Sequence, residues 1–326
     1  MGNPFNEALI SYIRNHVPKN DVVNILMDTL CIGKEAAYRR MRGEVIFTLD
    51  EAAKISYQLG ISLDNIIGIY HNKKAVFDVQ LFNNESIHIF MNSYCTTIKE
   101  YIQVFNKIEN IKKSKAILAY NSLPFVLYTP YSHILKFRLF RWIHQSVSLQ
   151  TPVFYSTINL SKELLTTQTK YAQNLESLAS THIILDKNTF TSFIIEIEYF
   201  YKLNLITDEE LLSLKKELKQ MLEDMEELAR IGKNKKGNEV LIYISNINFE
   251  ACYSYYEFEQ FQVSHMRVFS INSISYQDPK VCEAQKEWIE SLKRYAVLIS
   301  QSGEIQRIEF FKSQYEHVEN LGKKKS

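Results

Sequence analysis

The sequence predicts a mainly α-helical protein with three parts. These are a compact N-terminal head of five short helices, a long α-helical middle, and a C-terminal α+β unit with a small antiparallel sheet. Three observations lead there. Apolar residues recur at spacings of three and four along most of the 326 residues. Five of the nine glycines lie in residues 1–68 and none in 69–231, as befits a run of helices in which glycine is costly. Alternating, β-branched and aromatic composition begins only after Gly237. The expected parts are 1–70, 71–232 and 233–326.

In the head, Phe5, Ala8, Leu9, Tyr12 and Ile13 recur at helical spacing before Pro18. A second helix carries Val22, Val23, Ile25, Leu26, Met27 and Leu30, and a short turn follows at Cys31, Ile32 and Gly33. A third helix, 34–42, places Lys34, Tyr38, Arg39 and Arg42 on or beside its open face and stops at Gly43. Thr48 and Glu51 have capping-box spacing at the start of a fourth helix that Gly60 would end. Ser62 would cap a last short helix, 63–67.

These residues resemble the Cro/lambda-repressor type of helix-turn-helix domain. The resemblance rests on Ile32-Gly33-Lys34 through Arg42-Gly43 and on the closing phrase 49–67, and it covers about the first 70 residues. The chain has Met27 where the family often has Ala, and Cys31 where it often has Gly; the Gln common at the start of the recognition helix is absent. The resemblance implies binding of double-stranded DNA through the major groove. Lys34, Glu35, Tyr38 and Arg39 would then meet base edges, Glu35 accepting from cytosine N4. Arg40, Arg42 and either Lys19 or Asn20 would hold phosphates. Residues 1–68 contain seven Lys or Arg and eight Asp or Glu, so affinity for phosphate has to come from local clustering.

In the middle, helical periodicity runs over 87–111, 131–146, 161–179 and 189–203, while Pro124 breaks an ambiguous apolar stretch at 116–129. Thr207 and Glu210 form a second capping-box spacing, opening a helix to about 231. Leu211, Leu214, Leu218, Met221, Met225 and Leu228 draw a coiled-coil-like seam on it; Leu212, Leu222 and Ala229 widen its apolar face. Packing within the chain is the favoured reading, and pairing of two copies the alternative. A basic loop, 232–237, reads as a solvated connector rather than a phosphate contact. Strands are expected at 240–244, 248–256, 265–272 and 297–300, and helices at 280–294 and 304–321.

Net charge is +1, which argues against a polybasic coat or a membrane-surface protein. No stretch reads as a signal peptide or a membrane span. The four cysteines are far apart and unpaired in spacing, fitting reduced thiols in the cytoplasm; no metal cluster is expected. No phosphate-binding glycine loop, nucleophile elbow or zinc motif is present, so neither catalysis nor a cofactor is expected. His144 and His265 read as structural histidines, residues 300–304 as a helix start, and the 20 Tyr and 19 Phe as core before ligand pocket. The expected function is transcriptional regulation by a homodimer whose C-terminal region answers to an unidentified small molecule or peptide. A protein-interaction scaffold without an operator is the alternative.

Overall fold

The computed structural model describes residues 3–17, 21–59, 63, 66, 86–106, 108, 111–147, 151–259, 261–269 and 272–323. The chain divides into two compact units, Met1–Asp78 and Val79–Ser326.

The first unit contains α1 (Pro4–His16), α2 (Val22–Leu30), α3 (Lys34–Met41) and α4 (Leu49–Leu59). Its core takes Leu9 and Ile13 from α1, Leu26 from α2, Ala37 and Met41 from α3, and Ala52 and Ile55 from α4. Each set follows the three-and-four spacing that puts apolar side chains on one helix stripe. The buried Asn6 fastens the loop before α4, its Oδ1 accepting from the Phe47 amide at 3.0 Å. Arg14 donates to the Met41 carbonyl at 2.6 Å, satisfying a C-terminal orphan of α3. Gly60, Ser62, Lys19 and Asn20 lie outside the described residues, as does the expected fifth helix except for Leu63 and Ile66, which join this core.

The second unit is mainly helical around one seven-stranded mixed sheet of order β6-β5-β4-β1-β2-β3-β7. The strands are β1 (Lys115–Tyr120), β2 (Ser180–Asp186), β3 (Glu239–Ser245), β4 (Tyr253–Glu257), β5 (Gln262–Phe269), β6 (Asn272–Tyr276) and β7 (Ala296–Leu298). β1, β2 and β3 are parallel, with Leu118 opposite Ile183 and Ile183 opposite Ile242. β4 runs antiparallel beside β1, β5 and β6 continue outward, and β7 closes the other edge against β3.

This corrects two expectations. The middle is not purely helical, since β1 and β2 arise within it, and the sheet is neither small nor wholly antiparallel. The boundary expected at 232 falls inside the sheet. The physical reason is burial of the central strands on both faces, which removes the alternation that marks a half-exposed strand. Ala116-Ile-Leu-Ala-Tyr120 is buried throughout.

The helices are α5 (Ile87–Asn106), α6 (Phe125–Tyr128), α7 (Ser132–Ser146), α8 (Lys162–Glu176), α9 (Thr189–Lys202), α10 (Asp208–Ile231), α11 (Pro279–Leu292) and α12 (Glu304–Asn320). One face of the sheet, through Ile117, Ala119, Ile184 and Tyr255, packs on Cys282 and Ile289 of α11. The other, through Ala116, Leu118, Ile183 and Val240, packs on the main helical layer. In α7, Ile134, Leu135, Phe137, Leu139, Phe140 and Ile143 are wholly buried, although the helix also carries Lys136, Arg138 and Arg141. Its N-terminus is capped from a distance, the Glu217 carboxylate of α10 accepting from the His133 and Ile134 amides at 2.7 and 2.9 Å. Arg138, also on α7, is 2% exposed and rests against the rings of Tyr128, Trp142 and Phe193.

The Thr207–Glu210 capping box forms as expected. The apolar seam of α10 is turned inward: Leu211, Leu214, Leu218, Met221 and Met225 are buried in their own unit, with α12 and α7 packed on the helix. Among the described residues no helix is long and apolar enough to cross a membrane.

Candidate nucleic-acid interface

α3 is short, and its two faces differ sharply. Ala37 and Met41, four residues apart, point into the core. Lys34, Glu35, Tyr38, Arg39 and Arg42 are exposed, Tyr38 to 40%. The turn that delivers the helix begins at Cys31, which holds φ 52° and ψ 46° at the C-terminus of α2. This left-handed conformation favours glycine. Gly33 instead is extended, at φ −72° and ψ 160°, and serves as the N-cap of α3 without a capping side chain. Gly43, at φ +77°, then turns the chain out of the helix.

The arginines are not free. Arg40 makes a bidentate pair with Glu51 of α4, Nη2–Oε1 2.6 Å and Nε–Oε2 3.2 Å, and donates to the Ala36 carbonyl. Its side chain is only 15% exposed. Glu51 meanwhile completes the expected capping box, accepting from the Thr48 amide at 3.0 Å while Thr48 Oγ1 accepts from the Glu51 amide. Hydrogen bonding from Arg40 holds the Glu51 carboxyl below its usual range. Arg40, expected at a phosphate, here braces α3 against α4.

Arg42 pairs with Glu44 at 2.6 Å and with Glu35 at 3.1 Å, and Arg39 approaches Glu44 at 3.5 Å. The hydrogen bond from Arg42 lowers the Glu44 carboxyl, so this anion persists at neutral pH. These pairs are about half exposed, a setting in which ion pairs are weak and screened by salt. Guanidiniums in such pairs can exchange a carboxylate for a phosphate.

The remaining sequence-selected groups have structural partners. His265 Nδ1 lies 2.6 Å from Ser275 Oγ, with the Tyr101 and Tyr256 rings edge-on. Burial lowers its pKa to about 4. Arg267 donates to Ser122 Oγ at 2.7 Å and lies over the Tyr120 ring. His144 Nε2 lies 2.9 Å from the Val153 carbonyl and packs against Phe140. Ser300 does not cap α12; its hydroxyl accepts from the Ile242 amide of β3 at 2.8 Å, and Gly303 occupies the cap. The 232–237 loop is tied down by Asn234, which accepts from the Lys236 and Asn238 amides and donates to the Glu176 carbonyl. Sequence reasoning finds Glu35 as a base contact and Glu51 as a capping residue but neither as a partner of the arginines, and it misses Glu44, which stands only two residues past Arg42.

Comparison with family models, with curated proteins and with solved structures returns no match to this chain.

Proposed function

We propose that the first unit is a helix-turn-helix DNA-binding domain of the Cro/lambda-repressor kind and that the protein is a transcriptional regulator. The observation that carries this reading is the division of α3 into a buried Ala37–Met41 stripe and an exposed stripe of Lys34, Tyr38, Arg39 and Arg42. A helix held across another by a three-residue turn and offering such a stripe suits the major groove. Lys34, Glu35, Tyr38 and Arg39 meet base edges in this reading, and Arg42 holds a phosphate after leaving both Glu44 and Glu35. The larger unit serves pairing of two copies and response to an effector. Because the α10 seam is buried in its own unit, pairing uses another surface.

A second reading, a protein-interaction module, is favoured by the neutralised arginines and by apolar exposure at Ile46 (53%), Leu49 (77%) and Tyr57 (92%). Selection of bound fragments from random duplexes, followed by mobility-shift titration of the enriched sequence, separates the two. An enriched motif whose preference relaxes in Arg39→Ala supports DNA reading. No enrichment, together with no shift of any duplex at low salt, rejects it.

A further inference from the structure

Arg138 of α7 is 2% exposed, and among the described residues no carboxylate pairs with it and nothing accepts a hydrogen bond from it, its Nε included. A guanidinium cannot shed its proton, and a buried charge is ordinarily paired. The rings of Tyr128, Trp142 and Phe193 stand 5.6, 4.8 and 5.9 Å from its Cζ. Their faces ease the burial of a cation but offer no lone pair to its N–H groups.

Two more arginines share this neighbourhood. Arg141, one turn further along α7, pairs with Glu196 of α9 at 3.2 Å and keeps 20% of its side chain exposed. Arg267 of β5 has no carboxylate partner among the described residues; it meets Ser122 Oγ at 2.7 Å, Cys252 Sγ at 3.5 Å and the Tyr120 ring. Burial lowers the Arg141 pKa, and against the pull of Glu196 the charges of Arg138 and Arg267 lower it further. The buried or half-buried carboxylates on this side are Glu196 and Asp186, the latter at the end of β2, where it accepts from the Asn188 and Phe249 amides. With both counted at full charge, three cations still face two anions. Glu100, which acts on Tyr101 beside Arg267, is exposed and screened by water.

The arginines gather where the topology favours a ligand. β1 has β2 beside it on one flank, reached by the next crossover, and β4 on the other, reached only after β3. Ligands of open α/β sheets settle in the crevice beyond the carboxyl ends of the strands at such a reversal of order. Asn121 and Ser122 follow β1 there and meet Cys252, which precedes β4, at 3.1 and 3.3 Å. Asn121, Ser122, Arg141 and Arg267 are half-buried, so solvent reaches this edge.

We propose that the carboxyl end of β1 is a binding site for a phosphate group, free or as the monoester of a small molecule, held by Arg138, Arg141 and Arg267. A phosphate presents three terminal oxygens to guanidinium forks and carries the negative charge that this interior lacks, whereas a carboxylate fills one fork. The site belongs wholly to the second unit and stands independently of DNA binding by the first.

Calorimetric titration of the full-length protein with inorganic phosphate, phenyl phosphate and acetate, at constant ionic strength, tests it. Phosphate binds one to one and raises the melting temperature, and acetate binds at least about tenfold more weakly. Phenyl phosphate binding more tightly than phosphate identifies the monoester as the natural form; binding more weakly identifies the free ion. Arg138→Met, which keeps the apolar bulk, weakens phosphate by about ten- to hundredfold, the loss expected for hydrogen bonds to a charged group. Glu196→Gln removes an anion and tightens it. If Arg138→Met does not fold, Arg267→Gln, half-buried and still able to donate to Ser122, gives the same weakening. The proposal is overturned if neither phosphate nor phenyl phosphate binds, if acetate binds as tightly, or if phosphate binding survives both arginine substitutions, which would put the anion on another surface such as α3.

Discussion

Glu44 controls how much positive charge α3 can offer to a duplex. Around this helix stand Lys34, Arg39, Arg40 and Arg42 against Glu35, Glu44 and Glu51, four cations and three anions, leaving +1. Glu44 alone touches two of the arginines, Arg42 at 2.6 Å and Arg39 at 3.5 Å. Glu44→Gln keeps the size and one acceptor, and doubles the local charge to +2. Each phosphate that a cation neutralises on B-DNA adds about −0.9 to the slope of log affinity against log salt. One arginine freed for one phosphate thus contributes a factor of about 10^0.9, or roughly eight, at 0.1 M salt relative to 1 M. Fluorescence anisotropy with labelled duplexes, over about 50–200 mM salt, would show a slope steeper by about 0.9 per head. Affinity would rise by nearly the same factor for every sequence, since phosphate contacts carry no base information. Thermal unfolding would be unchanged, Glu44 being exposed. An unaltered slope and affinity would refute the exchange of carboxylate for phosphate; weaker binding would mean that Glu44 itself faces the nucleic acid favourably.

Three further outcomes follow from local geometry. Cys31→Gly relieves a left-handed penalty of about 1–2 kcal/mol against a glycine entropy cost of about 0.5–1; a net gain of about 0.5–1 kcal/mol would appear as slower hydrogen exchange in α2 and α3. Gly303→Ala at φ +61° drives a Cβ into the Leu298 carbonyl oxygen and costs about 2–4 kcal/mol in urea unfolding of the second unit. His265, lowered from 6.5 to about 4 by burial, binds its proton more readily in the unfolded chain. Stability is therefore full above pH 6.5 and falls as pH drops toward 4, by about 2–3 kcal/mol; His265→Gln should flatten that part of a pH series of urea midpoints.

Features written in one short stretch of chain were legible. Thr48 with Glu51, and Thr207 with Glu210, announce helix starts because both halves of each hydrogen-bonded pair lie within one turn. The buried stripe of α3 follows from spacing alone. Features that depend on distant partners were not legible. β1 and β2 carry no alternation because helices cover both of their faces, and only the neighbours that pair with them distinguish them from buried helix. Arg40 looked like a free surface cation until Glu51, eleven residues away, was placed beside it. The cavity between the sheet and α10 depends on side chains from four strands and three helices, a coincidence that no local pattern encodes.

The strand order also dictates when the second unit is able to take shape. β1 pairs on one side with residues 180–185 and on the other with residues 253–257. On a ribosome, the middle of this sheet waits with an open edge until nearly 140 further residues have emerged, a long interval for a strand whose amides and carbonyls invite any passing partner. A gene shortened at codon 232 would leave that edge open for good, and its product should collect in inclusion bodies, whereas one ending after residue 78 severs no strand among the described residues.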